Sequence, residues 1–160
     1  MLSYHADIDA QTNPFELGLG RLVNLDTDAD FVGKAALSRI RDEGISRKQV
    51  GLVIDGAPLT GPNTVFWHVM QDGERIGKVT SAVYSPRLDQ NIALALISAE
   101  HAVLGDTVEV LVDNMPARAE IVDLPFYDPK KSIALDAVRV ADPHDAHLGT
   151  AAGPALRDGL

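Results

Sequence analysis

The chain has 160 residues, 46% of them hydrophobic and 23% charged, which suits one globular domain with its own core. Lys and Arg number 14 against 23 Asp and Glu, and the resulting net charge of −9 argues against nucleic acid or an anionic membrane as a main partner. The absence of cysteine excludes disulfides, thiolate metal sites and thiol nucleophiles.

No apolar run reaches transmembrane length and the N-terminus lacks a basic-then-apolar signal, so the cytoplasm is the expected compartment. Thr12-Asn13-Pro14 is a turn or cap signal, with Glu16 in the first turn. Any helix begun there must be brief, because Gly18 and Gly20 follow. Arg21-Leu-Val-Asn-Leu25 alternates as a half-buried strand would. Asp26, Asp28 and Asp30 then offer N-cap candidates for a helix over about 31–43. Its apolar positions Val32, Ala35, Ala36 and Ile40 recur at helical spacing, and Gly44 closes it.

Beyond Gly44 the pattern changes to strands. Gln49 to Ile54 is rich in Val, Leu and Ile, and residues 55–63, broken by two Gly/Pro clusters, read as loop. Thr64 to Met70 is a strand candidate, and Asp72-Gly73 predicts a hairpin that returns it antiparallel through Glu74 to Val83. Val79, Ala82 and Val83 supply apolar positions there. Ile92, Leu94, Leu96 and Ile97 form a nearly continuous run expected to be buried on both faces. Between them Pro86, which cannot donate to a ladder, makes Ser85 to Asn91 a polar corner suited to presenting side chains. Thr107 to Val112 alternates cleanly, and Asp113-Asn114 turns it into Ala117 to Val122, with Pro116 at the turn side.

The sum is mainly β with a short helical lead-in: a small closed antiparallel barrel, Greek-key-like, of about six strands. Residues 1–142 are read as one domain and 143–160, rich in Gly, Ala, Asp and His, as a flexible tail.

The stretch Gly77-Lys-Val-Thr-Ser-Ala-Val-Tyr-Ser-Pro-Arg-Leu, followed by Ile92-Ala-Leu-Ala95, resembles the C-terminal barrel of the glycine-cleavage T-protein (aminomethyltransferase) family. Pro14-Phe-Glu-Leu-Gly-Leu-Gly20, Asp30-Phe-Val-Gly-Lys-Ala-Ala-Leu37, Val50-Gly-Leu-Val53 and Leu124-Pro-Phe-Tyr-Asp-Pro129 resemble further family segments in the family's order, over roughly residues 1–135. His5 stands where the family has glycine after its Tyr, so a side chain occupies a position that favoured backbone freedom.

The resemblance implies one-carbon transfer to tetrahydrofolate from a small-molecule methyl or aminomethyl donor. The corner Ser85-Pro-Arg-Leu88 looks more like the demethylase branch than the glycine-cleavage protein itself. It also implies that the folate-binding core and the catalytic acid belong to an N-terminal half or subunit that this chain lacks. The chain is therefore expected to need that partner, to be inactive alone and to carry no catalytic residue. Tyr4, Tyr84, Arg87 and Tyr127 are its cofactor-binding candidates, Arg87 by pairing an anionic tail. A non-catalytic interaction or regulatory barrel is the alternative.

Other signals are weaker. Ser81 and Ser85 lack a nucleophile-elbow context, and Gly18-Leu-Gly20 lacks the preceding strand and third glycine of a dinucleotide loop. Asp26, Asp28 and Asp30 lack the glycine and final glutamate of a calcium loop. His144 and His147, with Asp142 and Asp145, could chelate a metal if helical, but are read as part of the tail, so no metal site is assigned.

Overall fold

The computed structural model describes residues 2–128. Six strands are present: β1 (Arg47–Ile54), β2 (Trp67–Gln71), β3 (Glu74–Ser85), β4 (Gln90–Ser98), β5 (Thr107–Val112) and β6 (Met115–Val122). They close into a barrel in the order β1-β4-β3-β2-β5-β6, every neighbouring pair antiparallel. β2, β3 and β4 form a meander and β1 lies beside β4, which is a Greek-key connection. Closure leaves no free sheet edge.

The tight turns follow from residue type. Asp72 and Gly73 both adopt positive φ (51° and 82°), as do Asp113 and Asn114 (48° and 69°), matching the backbone twist that two-residue hairpins require. The β3–β4 corner turns over Pro86 to Asp89. At the far end of this corner Asn91 is buried. Its Oδ1 accepts from the Leu59 N–H (2.9 Å) and its Nδ2 donates to the Ala57 carbonyl (3.0 Å), pinning the β1–β2 loop across the barrel mouth.

Alternation fills the interior. Val50, Leu52 and Ile54 of β1 face Ala93, Ala95 and Ile97 of β4, with Val79 and Ala82 of β3 beyond them. Trp67, Val69, Val108, Val110, Ala119 and Ile121 complete the ring. Alanines placed among the larger residues let the small barrel close around its own side chains. Each fully buried Leu or Ile contributes about 1.5–3 kcal/mol.

Several expectations are corrected here. Arg21 to Leu25 is not a strand; Gly20–Leu22 is one turn of 3-10 helix, and a closed barrel has no edge left for another strand. The Asn13 signal does form a capping box: Asn13 Oδ1 accepts from the Phe15 and Glu16 N–H groups, and Glu16 Oε2 accepts from the Asn13 N–H. The turn stops at Gly18, which has φ 68°.

Helix α1 (Lys34–Glu43) starts three residues later than the periodicity suggests. None of the three aspartates caps it. Gly33 occupies the cap position with φ 93°, and Asp26 instead pairs with Arg41 at 3.2 Å. Strand β2 also begins three residues late, because Asn63 Nδ2 donates to the Val65 carbonyl and holds residues 63–65 in a loop.

In β3 the register shifts around Thr80, an extra residue that swings the following side chains round. Ala82 therefore points inward, while Val83 lies on the outer face, 45% exposed. On β4 Leu96 is buried on the outer side, and Ile92 and Leu94 are half-buried there. The outer face of this strand is thus partly covered, as its continuous apolar run suggests. Position 143 onward lies outside the described residues, as do His144 and His147.

Candidate functional site

Three of the four residues singled out from sequence gather at the β3–β4 corner. Tyr84, near the end of β3, donates its hydroxyl to Asp89 Oδ1 across the turn. That hydrogen bond, aided by desolvation and by the carboxylate's charge, raises the Tyr84 pKa above the ordinary 10.0. Arg87 lies in the turn itself, with its guanidinium carbon 4.1 Å from the centre of the Tyr127 ring. Tyr127 is 42% exposed. A guanidinium over a ring face keeps its in-plane N–H groups for a carboxylate.

Tyr4 is elsewhere. It is 61% exposed and sits 4.2 Å, ring to ring, from His5. Both border a hollow of about 530 Å³ with Thr64 and Phe66. His5 has φ 70°, so the left-handed backbone survives without glycine.

Sequence reasoning missed a groove on the barrel's outer face. A groove of about 820 Å³ runs along the outer face of β3 and β4. Leu17 and Leu19 of the lead-in wall one side and Leu124 to Phe126 the other, over a floor that includes Val83, Ile92 and Leu94. Gly51 permits this wall: a Cβ there would meet Phe126 Cε1 at 2.8 Å. The available signal was the apolar outer row of β4, which has to be covered by something.

Beside the groove a buried carboxylate fastens the lead-in to the sheet. Asp7 Oδ1 accepts from the Thr80 hydroxyl (2.6 Å) and the Ser81 hydroxyl (2.7 Å), and its Oδ2 accepts from the Ser3 N–H (2.9 Å). Asp7 is 4% exposed. Two adjacent hydroxyls, Thr80 and Ser81, between the apolar Val79 and Ala82 were the visible trace of this contact. A second fastening joins Glu16, also buried, to Arg47 at 3.0 Å.

This chemistry is positional. The Ser81 hydroxyl is spent on Asp7, and among the described residues no histidine bridges a hydroxyl and a carboxylate. Among the described residues no cluster of three or more His, Asp or Glu could hold a metal, and no helix is long and apolar enough to cross a membrane.

Comparison with known proteins agrees with this architecture. The aminomethyltransferase of Symbiobacterium thermophilum is 41% identical over 126 residues, covering 78% of this chain and 32% of the relative. That of Synechococcus sp. strain RCC307 is 41% identical over 124 residues, covering 78% and 34%. The crystal structure of the glycine cleavage system aminomethyltransferase T from Bartonella henselae superposes with a TM-score of 0.70 at 25% identity, over 79% of this chain and 35% of that one. The chain thus spans about a third of the length of these relatives. Residues 47–128 match the family described as the glycine cleavage T-protein C-terminal barrel domain, and the chain belongs to that family.

Proposed function

We propose that this chain is the barrel portion of a tetrahydrofolate-dependent aminomethyltransferase or demethylase, acting together with a folate-binding portion supplied outside it. The observation that carries this reading is the 41% identity to an aminomethyltransferase, confined to about a third of that relative's length. The barrel's part is to position donor and cofactor and to keep water from them, while the acid–base chemistry belongs to the other portion.

The residues present fit a role at the edge of a folate. Folate carries a flat ring system, an aromatic linker and a carboxylate tail. Tyr4 and Tyr127 offer exposed aromatic faces, and Arg87, stacked on Tyr127, offers a fork of donors to a carboxylate. Tetrahydrofolate, when bound, would supply the nitrogen that receives the one-carbon group. Arg87 and Tyr127 would orient its tail, and Tyr84, held by Asp89, would stiffen the corner that bears Arg87. The donor is a small methylated or aminomethylated molecule.

Grafting tests this. Residues 1–135 of this chain replace the matching third of the Symbiobacterium aminomethyltransferase, and tetrahydrofolate-dependent one-carbon transfer is measured. The expected result is a folded, active graft that loses most of its activity with Arg87→Ala, and a free chain that is inactive and binds tetrahydrofolate weakly. A folded but inactive graft, or undiminished tetrahydrofolate affinity in the free chain, overturns the reading.

A further inference from the structure

We propose that the groove on the outer face of β3 and β4 is a docking surface for the folate-binding portion, seating a polypeptide segment that brings apolar side chains, a free backbone carbonyl and a carboxylate. The proposal rests on the folate reading only for the existence of that portion. It uses neither Arg87 nor any of the three tyrosines, and it places no cofactor in the groove. Its first support is extent. This chain covers 32% of the Symbiobacterium enzyme, so the larger part of that relative lies outside the match. The groove of about 820 Å³ offers such a portion Leu17, Leu19, Val83, Leu94 and Phe126, and Val83 stands 45% exposed in it. The barrel fills its interior with other side chains, so an apolar outer face has no use within the domain and marks an interface.

The second support is Gln49. It lies on β1 opposite Leu96, is 8% exposed and lines the groove. Its backbone N–H donates to the Glu16 carbonyl at 2.7 Å, one residue before Leu17. Its side-chain Nε2 is buried and has no acceptor among the described residues. A buried donor without a partner is destabilising, and a leucine would fill the same position without that cost. A neighbouring polypeptide supplies the missing acceptor, because every residue carries a carbonyl that must find a donor when it is buried.

The third support is charge. Arg21 is the one charged residue of the lining, and it has no carboxylate partner among the described residues. No Asp or Glu lines the groove, in a chain with 23 of them and a net charge of −9. That net charge repels an acidic partner on average, and the groove is a place where the repulsion is absent. Arginine is enriched in interfaces because its paired N–H donors hold a carboxylate while its stem packs on apolar side chains. Leu22, the next residue, is exposed as well.

The chain has no cysteine, so a single introduced thiol reports on a single face. Val83→Cys puts one in the groove, and Glu109→Cys puts one on β5, across the ring from β4. Both positions are exposed, so the barrel should tolerate both changes. Maleimide labelling of each site, read by peptide mass spectrometry without tetrahydrofolate, is compared between the full 160-residue chain and the graft onto the Symbiobacterium enzyme. Val83→Cys should label about tenfold more slowly in the graft, and Glu109→Cys equally in both. Added to the Val83→Cys graft, Arg21→Glu and Gln49→Leu should each speed labelling severalfold, while neither lowers the Tm of the free chain.

Equal labelling of Val83→Cys in free chain and graft overturns the proposal; if that graft still transfers one-carbon units, the folate reading stands without it. A graft that shields the thiol but transfers nothing sinks the folate reading alone. Shielding already present in the free chain, with the mass of a dimer, overturns the proposal in favour of a second copy. Shielding that appears only with tetrahydrofolate overturns it in favour of a cofactor cleft. Where the graft does not fold, the Val83→Cys chain is challenged with overlapping peptides from the unmatched part of the Symbiobacterium enzyme. An apolar, acidic peptide should then slow labelling and lose that effect with Arg21→Glu, and failure of every peptide overturns the proposal.

Discussion

In the barrel every strand has a hydrogen-bonded neighbour on each side, and fifteen buried apolar side chains make one continuous interior. In residues 2–46 Leu25 is the only buried apolar side chain, and helix α1 buries none at all. That segment is attached instead by two buried carboxylates, Asp7 on the β3 hydroxyls and Glu16 on Arg47. One region is held by exclusion of water, which is cooperative and spread over many residues. The other is held at a few polar points, each of which can fail locally. The groove lies along the seam between them, walled on one side by the less cooperative region.

The largest expected effect falls in the barrel. Leu52, fully buried between Ala93 and Ile121, should cost about 2–5 kcal/mol on Leu52→Ala, read as a lowered urea midpoint for the whole domain. Asp7→Ala should cost less, about 1–3 kcal/mol, because it takes the acceptor from the Ser81 hydroxyl and the Ser3 N–H, while the Thr80 hydroxyl keeps the Leu94 carbonyl at 3.1 Å. The distribution matters more than the size. Hydrogen exchange should quicken at Asp7 and Ile8, whose N–H groups bond to the Ser3 carbonyl, while β1 and β4 stay protected. Equal loss of protection in β1 and β4 would break the comparison, since the barrel would then depend on its lead-in.

The same contrast decides what could be read from sequence. Strand β5 and the turn pairs of both hairpins were legible to the residue, because period-two burial and positive-φ turn pairs are local properties, whereas β2 starts three residues later and β6, at Met115, two residues earlier than the sequence suggests. The lead-in was not. Arg21 to Leu25 alternates like a strand, but strands need a partner, and the closed barrel offers none. The three aspartates before α1 looked like caps, yet the Asp26 contact with Arg41 and the glycine at the cap decided the helix start.

The site divides similarly. The corner was visible through Pro86, and Arg87 proved to lie against Tyr127, forty residues away in sequence. Tyr4 was a matter of resemblance alone, and the structure places it in a different hollow. The groove stayed hidden because its lining comes together only when the lead-in, the sheet and residues 124–126 are folded against one another. No spacing along the chain encodes that.

The smallest expected effect sharpens the contrast at the barrel's own surface. Tyr84 and Asp89 repeat the carboxylate contact of Asp7, but in solvent instead of in the interior. The hydroxyl's proton is held by Asp89 only while the phenol is neutral, so the folded-state pKa lies above the unfolded value. The stabilisation is then fully present below about pH 10, the ordinary tyrosine value, and fades as pH rises through the higher folded one. Asp89→Asn removes the charge and the strong acceptor, so the phenolate absorption of Tyr84 should appear at lower pH than in wild type. Stability near neutral pH should change little, because an exposed contact of this kind is screened by water. An Asp89→Asn chain as destabilised as Asp7→Ala would mean that burial is not what separates the two contacts.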